Sequence, residues 1–115
     1  MVVEDDDDVR EALLPVLEYE GYRVRAAANG REALERLRGE EEQPCVILLD
    51  LMMPVMDGWQ FRTEQLRDRS LAKIPVVVLS ALGPAGPNVQ TLKAAAYLQK
   101  PIDVDGLLDV IRRFC

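Results

Sequence analysis

The segment Cys45-Val46-Ile47-Leu48-Leu49-Asp50 decides the fold, because an unbroken apolar run ends abruptly at a carboxylate. A run this short, with turn-forming residues on both sides, is typical of a strand that is buried on both faces of a sheet. Asp50 is therefore predicted to lie at the carboxyl end of that strand, with its side chain exposed at the edge of the sheet.

Three other short apolar runs end in polar groups in the same way. Val2-Val3 precedes Glu4-Asp5, Val76-Val77-Val78-Leu79 precedes Ser80, and Tyr97-Leu98-Gln99 precedes Lys100. Ligands of open parallel α/β sheets bind just outside the carboxyl ends of the strands. The acids, the hydroxyl and the amine are therefore predicted to converge on one crevice.

Amphipathic segments alternate with the apolar runs, which is the pattern of repeated βα units with a parallel sheet between two layers of helices. The predicted strands are 2–4, 23–26, 45–50, 76–79 and 96–99, and the predicted helices are about 8–19, 30–37, 59–68, 88–94 and one that begins at Asp103. Gly21 is predicted to end the first helix, and the breaker-rich loop 83–87 delays the fourth. Residues 1–115 are expected to form a single α/β domain, with a short first strand at its centre.

Composition excludes several classes of function. The 115 residues are 49% hydrophobic and carry a net charge of −6, which argues against direct binding to nucleic acid or to an anionic membrane, because both require basic patches. No basic and apolar leader follows Met1, and no apolar stretch approaches ~20 residues. The chain is therefore expected to be neither secreted nor membrane-spanning.

The two cysteines, Cys45 and Cys115, lie far apart in the sequence. Two cysteines so placed form neither a disulfide framework nor a set of metal ligands. We therefore expect both thiols to be reduced and the protein to be cytoplasmic.

The predicted cluster of Glu4, Asp5 and Asp50 requires a counter-charge, because neighbouring carboxylates strongly disfavour full ionisation. Oxygen ligands without His or Cys suit a hard divalent cation, of which Mg²⁺ is the commonest in cells. Lys100 adds a fixed positive charge. Such a pocket fits phosphoryl transfer, with an aspartate able to act as the nucleophile.

Each of these residues has an ordinary interpretation when taken alone. The run Asp5 to Asp8 is more often a helix cap than a metal site, and Asp7 and Asp8 are assigned to that role. Lys100 alone would be a solvated lysine, and Ser80 alone a turn hydroxyl. Only their joint placement favours a functional site.

Four segments together resemble the receiver domain of two-component response regulators, a family that includes the chemotaxis response regulator. They are Val2-Val3-Glu4-Asp5, the stretch from Leu48 to Gly58 (LLDLMMPVMDG), Val78-Leu79-Ser80-Ala81 and Tyr97-Leu98-Gln99-Lys100-Pro101. Their order and spacing match that family over essentially the whole chain. The resemblance implies a flavodoxin-like, doubly wound five-stranded parallel sheet of order 2-1-3-4-5, with five helices on its two faces.

The resemblance also implies a role for each site residue. Asp50 would be the phosphoacceptor, and Mg²⁺ would be held by Glu4, Asp5, Asp50 and the backbone carbonyl of Met52. The switch and pairing residues would be Ser80, whose hydroxyl turns toward the phosphoryl group, Lys100, which pairs with it, and Tyr97, whose rotamer reports activation. The Lys100-Pro101 peptide bond would be cis.

The function that the resemblance implies is signalling rather than turnover of an external metabolite, so the chain is not expected to be an enzyme. A sensor histidine kinase or a histidine phosphotransfer protein would donate the phosphoryl group, and a downstream effector protein or domain would respond to a changed surface. The face formed by the fourth helix, the fifth strand and the last helix would be the surface for a homodimer.

Two alternatives stay open. A degenerate receiver, used only as an interaction module, is disfavoured because every acidic, hydroxyl and lysine position is present. A Mg²⁺-dependent phosphohydrolase would need a second aspartate two residues after the nucleophile, where Met52 stands.

Met52 and Leu82 would flank the approach of water to a phosphoryl group, and both are apolar, which predicts slow hydrolysis.

Overall fold

The computed structural model describes residues 1–39, 42–81 and 89–115. Along the chain the elements are β1 (Val2–Val3), α1 (Asp7–Tyr19), β2 (Ala26–Ala27), α2 (Gly30–Gly39), β3 (Ile47–Asp50), α3 (Gly58–Arg67), β4 (Val76–Ser80), a 3-10 helix (Val89–Leu92), β5 (Ala96–Gln99) and α4 (Val104–Arg112). The predicted alternation of strands and helices is confirmed.

The strands form one parallel sheet in the order β2-β1-β3-β4-β5, as predicted. Glu4 directly follows β1, and the preceding Val3 lies opposite Leu49. Asp50 lies opposite Leu79 on β4. Because all the strands run in the same direction, their polar carboxyl ends share one edge of the sheet.

Alternate residues of the strands fill two separate cores, as the period of two in an extended strand requires. Val3, Leu49 and Val78 belong to the core that lies under α2 and α3. Val2, Leu48 and Val77 belong to the core that lies under α1 and α4. The sheet is therefore covered on both faces, which explains why its strands read as unbroken apolar runs.

The second and third strands begin later than predicted. The second was expected over 23–26 and the third from Cys45, but they begin at Ala26 and Ile47. Val2 pairs with Ala26 on one side and with Leu48 on the other. On its other side β3 pairs with β4 from Ile47 onward, opposite Val76, so its ladders begin at Ile47 rather than at Cys45.

The helix ends follow the predicted signals. The residue that caps α1 is Asp6 rather than Asp7 or Asp8, and it accepts hydrogen bonds from the backbone N–H groups of Asp8 and Val9. Asp7 and Asp8 lie in the first turn, where negative charge complements the helix dipole. Gly21, with φ of 92°, ends the helix in the left-handed conformation that glycine tolerates. Asp103 caps α4 and so marks its start, as predicted.

The prediction of a fourth α-helix over about 88–94 is wrong for the residues that the structure describes. Residues 89–92 form a short 3-10 helix instead, and the described ranges contain four α-helices rather than five. Lys93 has a φ of 51°, which breaks helical continuation, and the N–H of Ala95 already bonds to Val76 at the start of the next strand pair. The loop 83–87 and Leu82 lie outside the described residues.

The expectation that both cysteines are reduced is also wrong in this structure. Cys45 and Cys115 form a disulfide, with their Cα atoms 5.5 Å apart. Both residues are exposed rather than buried in a strand. No sequence pattern indicated this pairing, because the separation of the two cysteines along the chain does not show that the end of α4 returns to the start of β3.

Candidate functional site

Three carboxylates meet at the carboxyl edge of the sheet. One ligand oxygen from each of Glu4, Asp5 and Asp50 lies within 4.8 Å of the others. The geometry follows from the register, since the residues before Glu4 and Asp50 are direct partners on adjacent strands. The predicted convergence of the acids is confirmed.

Asp50 is not exposed as predicted, because only 6% of its surface is accessible, and Glu4 is completely buried. The segment after β3 folds back over the strand end, where the N–H of Gly58 donates to the carbonyl of Leu51 at 2.9 Å. Lys100 covers a second side. The prediction of an exposed carboxylate was wrong because it did not include this fold-back of the segment after β3.

Lys100 joins the two buried acids. Its Nζ lies 2.6 Å from Glu4 Oε1 and 3.2 Å from Asp50 Oδ1. The backbone N–H of Lys100 donates to the carbonyl of Ser80 at 2.9 Å, and the following bond to Pro101 is cis, as the resemblance implied. The ends of β1, β3, β4 and β5 are thus linked through one lysine.

The surroundings of Glu4 and Asp5 favour the protonated form of both carboxyl groups. Burial raises the pKa of Glu4 to about 7, with Asp50 adding to the rise and Lys100 opposing it. Burial likewise raises the pKa of Asp5, again with a contribution from Asp50. Burial opposes the charge on Lys100, but hydrogen bonding to Glu4 and the charge of Asp50 outweigh it and raise the pKa of the lysine.

One acidic oxygen in the cluster lacks a partner. Glu4 Oε2 is buried and accepts no hydrogen bond from any residue that the structure describes. A buried carboxylate oxygen without a partner is costly, and it lies in a cluster whose three ligand oxygens suit a hard cation. The residues present therefore fit a divalent metal ion.

The loop between β3 and α3 depends on one glycine. A Cβ at Gly58 would lie 2.7 Å from the carbonyl oxygen of Asp50 and 2.7 Å from Leu51 Cδ2, so no larger residue fits there without a shift. Val55 adopts a φ of 68° in the same loop. The side chain of Met52 is 74% exposed beside the site, and its role as a carbonyl ligand stays a prediction.

Ser80 and Tyr97 occupy different surroundings. Ser80 ends β4, half-buried at the same edge as the acids, and lies opposite Gln99. The hydroxyl of Tyr97 instead binds the 3-10 helix region, accepting from the N–H of Ala94 at 3.3 Å and donating to the carbonyl of Val89 at 3.4 Å. Leu82, the second predicted flank of the site, lies outside the described residues.

Two arginines were not predicted from the sequence to have a structural role. Arg10 donates to the carbonyl of Glu4 at 2.7 Å and pairs with Asp7, an interaction that the three-residue spacing could have suggested. Arg62 on α3 donates to the carbonyls of Leu92 and Lys93, at 2.9 and 3.1 Å, and burial lowers its pKa. No sequence pattern distinguishes Arg62 from a surface arginine.

Comparison with known proteins decides the family. The sequence model of the family described as the response regulator receiver domain matches residues 1–112. The chain belongs to the response regulator receiver domain family. The resemblance and the fold that it implied are therefore confirmed, and a receiver is the phosphoacceptor, signalling domain of a two-component system.

The chain spans about half the length of the curated relatives it matches. Response regulator Rre1 of Synechocystis is 36% identical over 115 residues, which cover 97% of this chain and 49% of the relative. A solved structure described as a response regulator from Chloroflexus aurantiacus is 30% identical, with a TM-score of 0.89, and the match covers 98% of this chain and 93% of that one.

A second solved structure bears on the metal. The receiver domain of a sensor histidine kinase from Pseudomonas aeruginosa is 25% identical, with a TM-score of 0.88, over 98% of this chain and 93% of that one. That structure has a magnesium ion coordinated in its active-site cleft.

In the present chain, no helix among the described ranges has the length and apolar character needed to cross a membrane.

Proposed function

We propose that Asp50 is the residue that receives the phosphoryl group in this receiver domain. In the proposed step a carboxylate oxygen of Asp50 attacks the phosphorus of a phosphohistidine. An O–P bond forms, the N–P bond breaks, and the imidazole leaves. The donor would be a sensor histidine kinase or a histidine phosphotransfer protein.

The observation that carries this proposal is the pairing of Asp50 with Lys100 inside an acidic cluster. Lys100 Nζ lies 3.2 Å from Asp50 Oδ1, which keeps a nearly buried carboxylate beside a cation. The nucleophile is thereby held in place at the strand end, and the lysine is positioned to meet the added negative charge of a phosphoryl group.

The proposed metal is Mg²⁺, and the residues that would hold it are Glu4, Asp5, Asp50 and the backbone carbonyl of Met52. The unpartnered Oε2 of Glu4 and the close set of three acidic oxygens support this assignment. When bound, Mg²⁺ neutralises the carboxylates and the phosphoryl oxygens. Glu4 and Asp5 must lose their protons to serve as ligands, and their raised pKa values make this step dependent on pH.

Ser80, Lys100 and Tyr97 are the proposed switch residues. The backbone bond between Lys100 and Ser80 ties the two strand ends that flank the phosphoryl position. A turn of the Ser80 hydroxyl toward the new phosphoryl group would move the end of β4. Tyr97, whose hydroxyl holds the 3-10 helix at Val89, would then change its contacts on the neighbouring strand.

The partners and the compartment follow from this chemistry. A histidine kinase uses ATP, which favours the cytoplasm as the location. We propose that a downstream effector protein or domain responds to the surface formed by the 3-10 helix, β5 and α4, and that a homodimer would use the same face. The net charge of −6 favours a protein partner over direct contact with nucleic acid or membrane.

The experiment is phosphorylation by acetyl phosphate with Mg²⁺, followed by intact-mass spectrometry. We expect one added phosphoryl group, abolished by EDTA and by Asp50→Asn. Asp57→Asn is the matched control, since Asp57 is an aspartate in the same segment whose carboxylate caps α3. An undiminished adduct in the Asp50→Asn protein, or its loss in the Asp57→Asn protein, would place the nucleophile elsewhere.

A further inference from the structure

The disulfide stands at the end of the sheet opposite to the acidic cluster. Cys45 lies two residues before β3, at the strand end far from Asp50. Cys115 follows α4, the helix that begins shortly after Lys100. The disulfide therefore joins the start of β3, the strand that ends at Asp50, to the end of α4, the helix that begins four residues after Lys100.

The position of Cys115 is set by the helix that leads to it. Its backbone N–H and that of Phe114 both donate to the carbonyl of Ile111 at 3.0 Å, so the chain continues α4 in a final turn. Ile111 is buried in the core shared with α1. The two Cα atoms, 5.5 Å apart, lie in the ordinary range for a disulfide. The packed fold thus brings the two sulfurs together.

The disulfide is accessible. Both cysteines are exposed, and they form part of the wall of a cavity of about 330 Å³. Tyr22, Arg25 and Val46 also line this cavity. Open space therefore lies beside the two exposed cysteines, which gives a small thiol a route to the bridge.

We propose that Cys45 and Cys115 are a reversible thiol–disulfide site that fastens the end of α4 to the sheet, with low-molecular-weight disulfides and thiols as its reactants. One cysteine thiolate attacks the reagent disulfide and releases one thiol. The second cysteine attacks the resulting mixed disulfide and releases the other. The protein loses two electrons and two protons, and the reagent disulfide gains them.

This site explains the presence of an exposed disulfide in a domain whose proposed phosphoryl donor works in the reducing cytoplasm, where stable disulfides are rare and reversible ones act as sensors. Oxidation would hold the last turn of α4 on the sheet, and reduction would release it. The helix α4 contributes to the surface proposed to contact the effector, so its mobility is the property that the redox state controls.

The test combines alkylation with hydrogen exchange on the full chain. After equilibration with glutathione disulfide we expect both cysteines to resist iodoacetamide, and after excess glutathione we expect both to react. Amide exchange over residues 111–115 should be about fivefold or more faster in the reduced protein, while exchange in β4 should not change.

Cys45→Ser is the matched variant, because it removes the bridge at an exposed position without touching α4. Its exchange over residues 111–115 should equal that of the reduced wild type and should not respond to glutathione. Reaction of both cysteines with iodoacetamide under oxidising conditions would overturn the proposal. Equal exchange in the oxidised and reduced wild type would overturn it as well.

Discussion

The two ends of the sheet differ in which groups they bury and in how their residues are held together. At the acidic end, defined by Glu4, Asp5, Asp50 and Lys100, the carboxylates of Glu4 and Asp50 are buried, and one Glu4 oxygen has no partner among the described residues. At the disulfide end, defined by Cys45, Cys115 and the cavity beside them, the linked residues are exposed. Burial of charge at the acidic end opposes folding, whereas the disulfide at the other end restrains the chain covalently.

The difference shows how this small domain tolerates a strained site. Closing a loop of 70 residues restricts the unfolded chain and stabilises the fold by about 4 kcal/mol. A buried, incompletely paired carboxylate opposes folding by an amount of similar order. In the oxidised protein the stability gained at one end is of the same order as the cost at the other. Variants at the two ends should therefore behave differently.

The largest expected effect comes from removing the shared cation. Lys100→Met leaves Glu4 and Asp50 buried without their common partner, and metal-free stability at pH 8 should fall by about 4 kcal/mol. Lys73→Met is the control, because Lys73 is exposed and precedes β4 at the disulfide end. Urea unfolding measures both. Equal losses of unfolding free energy in the two variants would contradict the proposed difference between the acidic end and the disulfide end.

Between pH 4.5 and 7 the dependence of stability on pH should come chiefly from the acidic end, because the lowered pKa of Asp68 places its titration below that window. Because the pKa of Glu4 is raised from 4.5 to about 7 in the folded protein, its contribution is fully present below pH 4.5 and is lost as the pH rises through 7. A rise of that size corresponds to on the order of 3 kcal/mol. Metal-free unfolding at several pH values should show this decline, and Glu4→Gln should flatten it. Parallel profiles for the two proteins would rule this origin out.

Magnesium should reverse part of that cost. At about ten times its dissociation constant, Mg²⁺ should stabilise the folded state by about 1.4 kcal/mol and raise Tm by roughly 5 °C at pH 8. Asp5→Asn should reduce the increase, whereas Glu42→Gln, at an exposed acid that lines the cavity, should not. The metal assignment fails if Tm of the Asp5→Asn protein rises as much as that of wild type.

The smallest expected effect concerns the lifetime of the phosphorylated state. Met52 is exposed beside the acids and cannot orient an attacking water. Met52→Asn supplies an amide there and should speed loss of the phosphoryl group by roughly threefold. Val55→Asn makes the same chemical change three residues along, at another exposed position. A decay rate in Met52→Asn no faster than in Val55→Asn would contradict this role.

Sequence predicted the acidic end well because each of its residues directly follows an apolar strand. The sheet order and the meeting of Glu4, Asp5 and Asp50 followed from that pattern together with the family resemblance. The burial of Asp50 was missed because it depends on a loop that folds back and on Gly58 fitting against the strand. Such tertiary contacts leave no periodic signal in the sequence.

The disulfide end was predicted poorly for a related reason. Pairing of Cys45 with Cys115 depends on where α4 ends relative to β3, which the positions of the two cysteines in the sequence do not report. The late starts of β2 and β3 likewise reflect the short β1 rather than their own residues. The family resemblance concerned the carboxyl edge and carried no information about this end.

The most direct test of the central claim is to locate the phosphoryl group. Borohydride reduces the carbonyl carbon of an aspartyl phosphate to an alcohol, which converts the modified aspartate into homoserine. After phosphorylation with acetyl phosphate and Mg²⁺, peptide sequencing by mass spectrometry should find homoserine at position 50 and not at position 5 or 57. Homoserine at another aspartate, with residue 50 unchanged, would contradict the assignment of Asp50 as the phosphoacceptor.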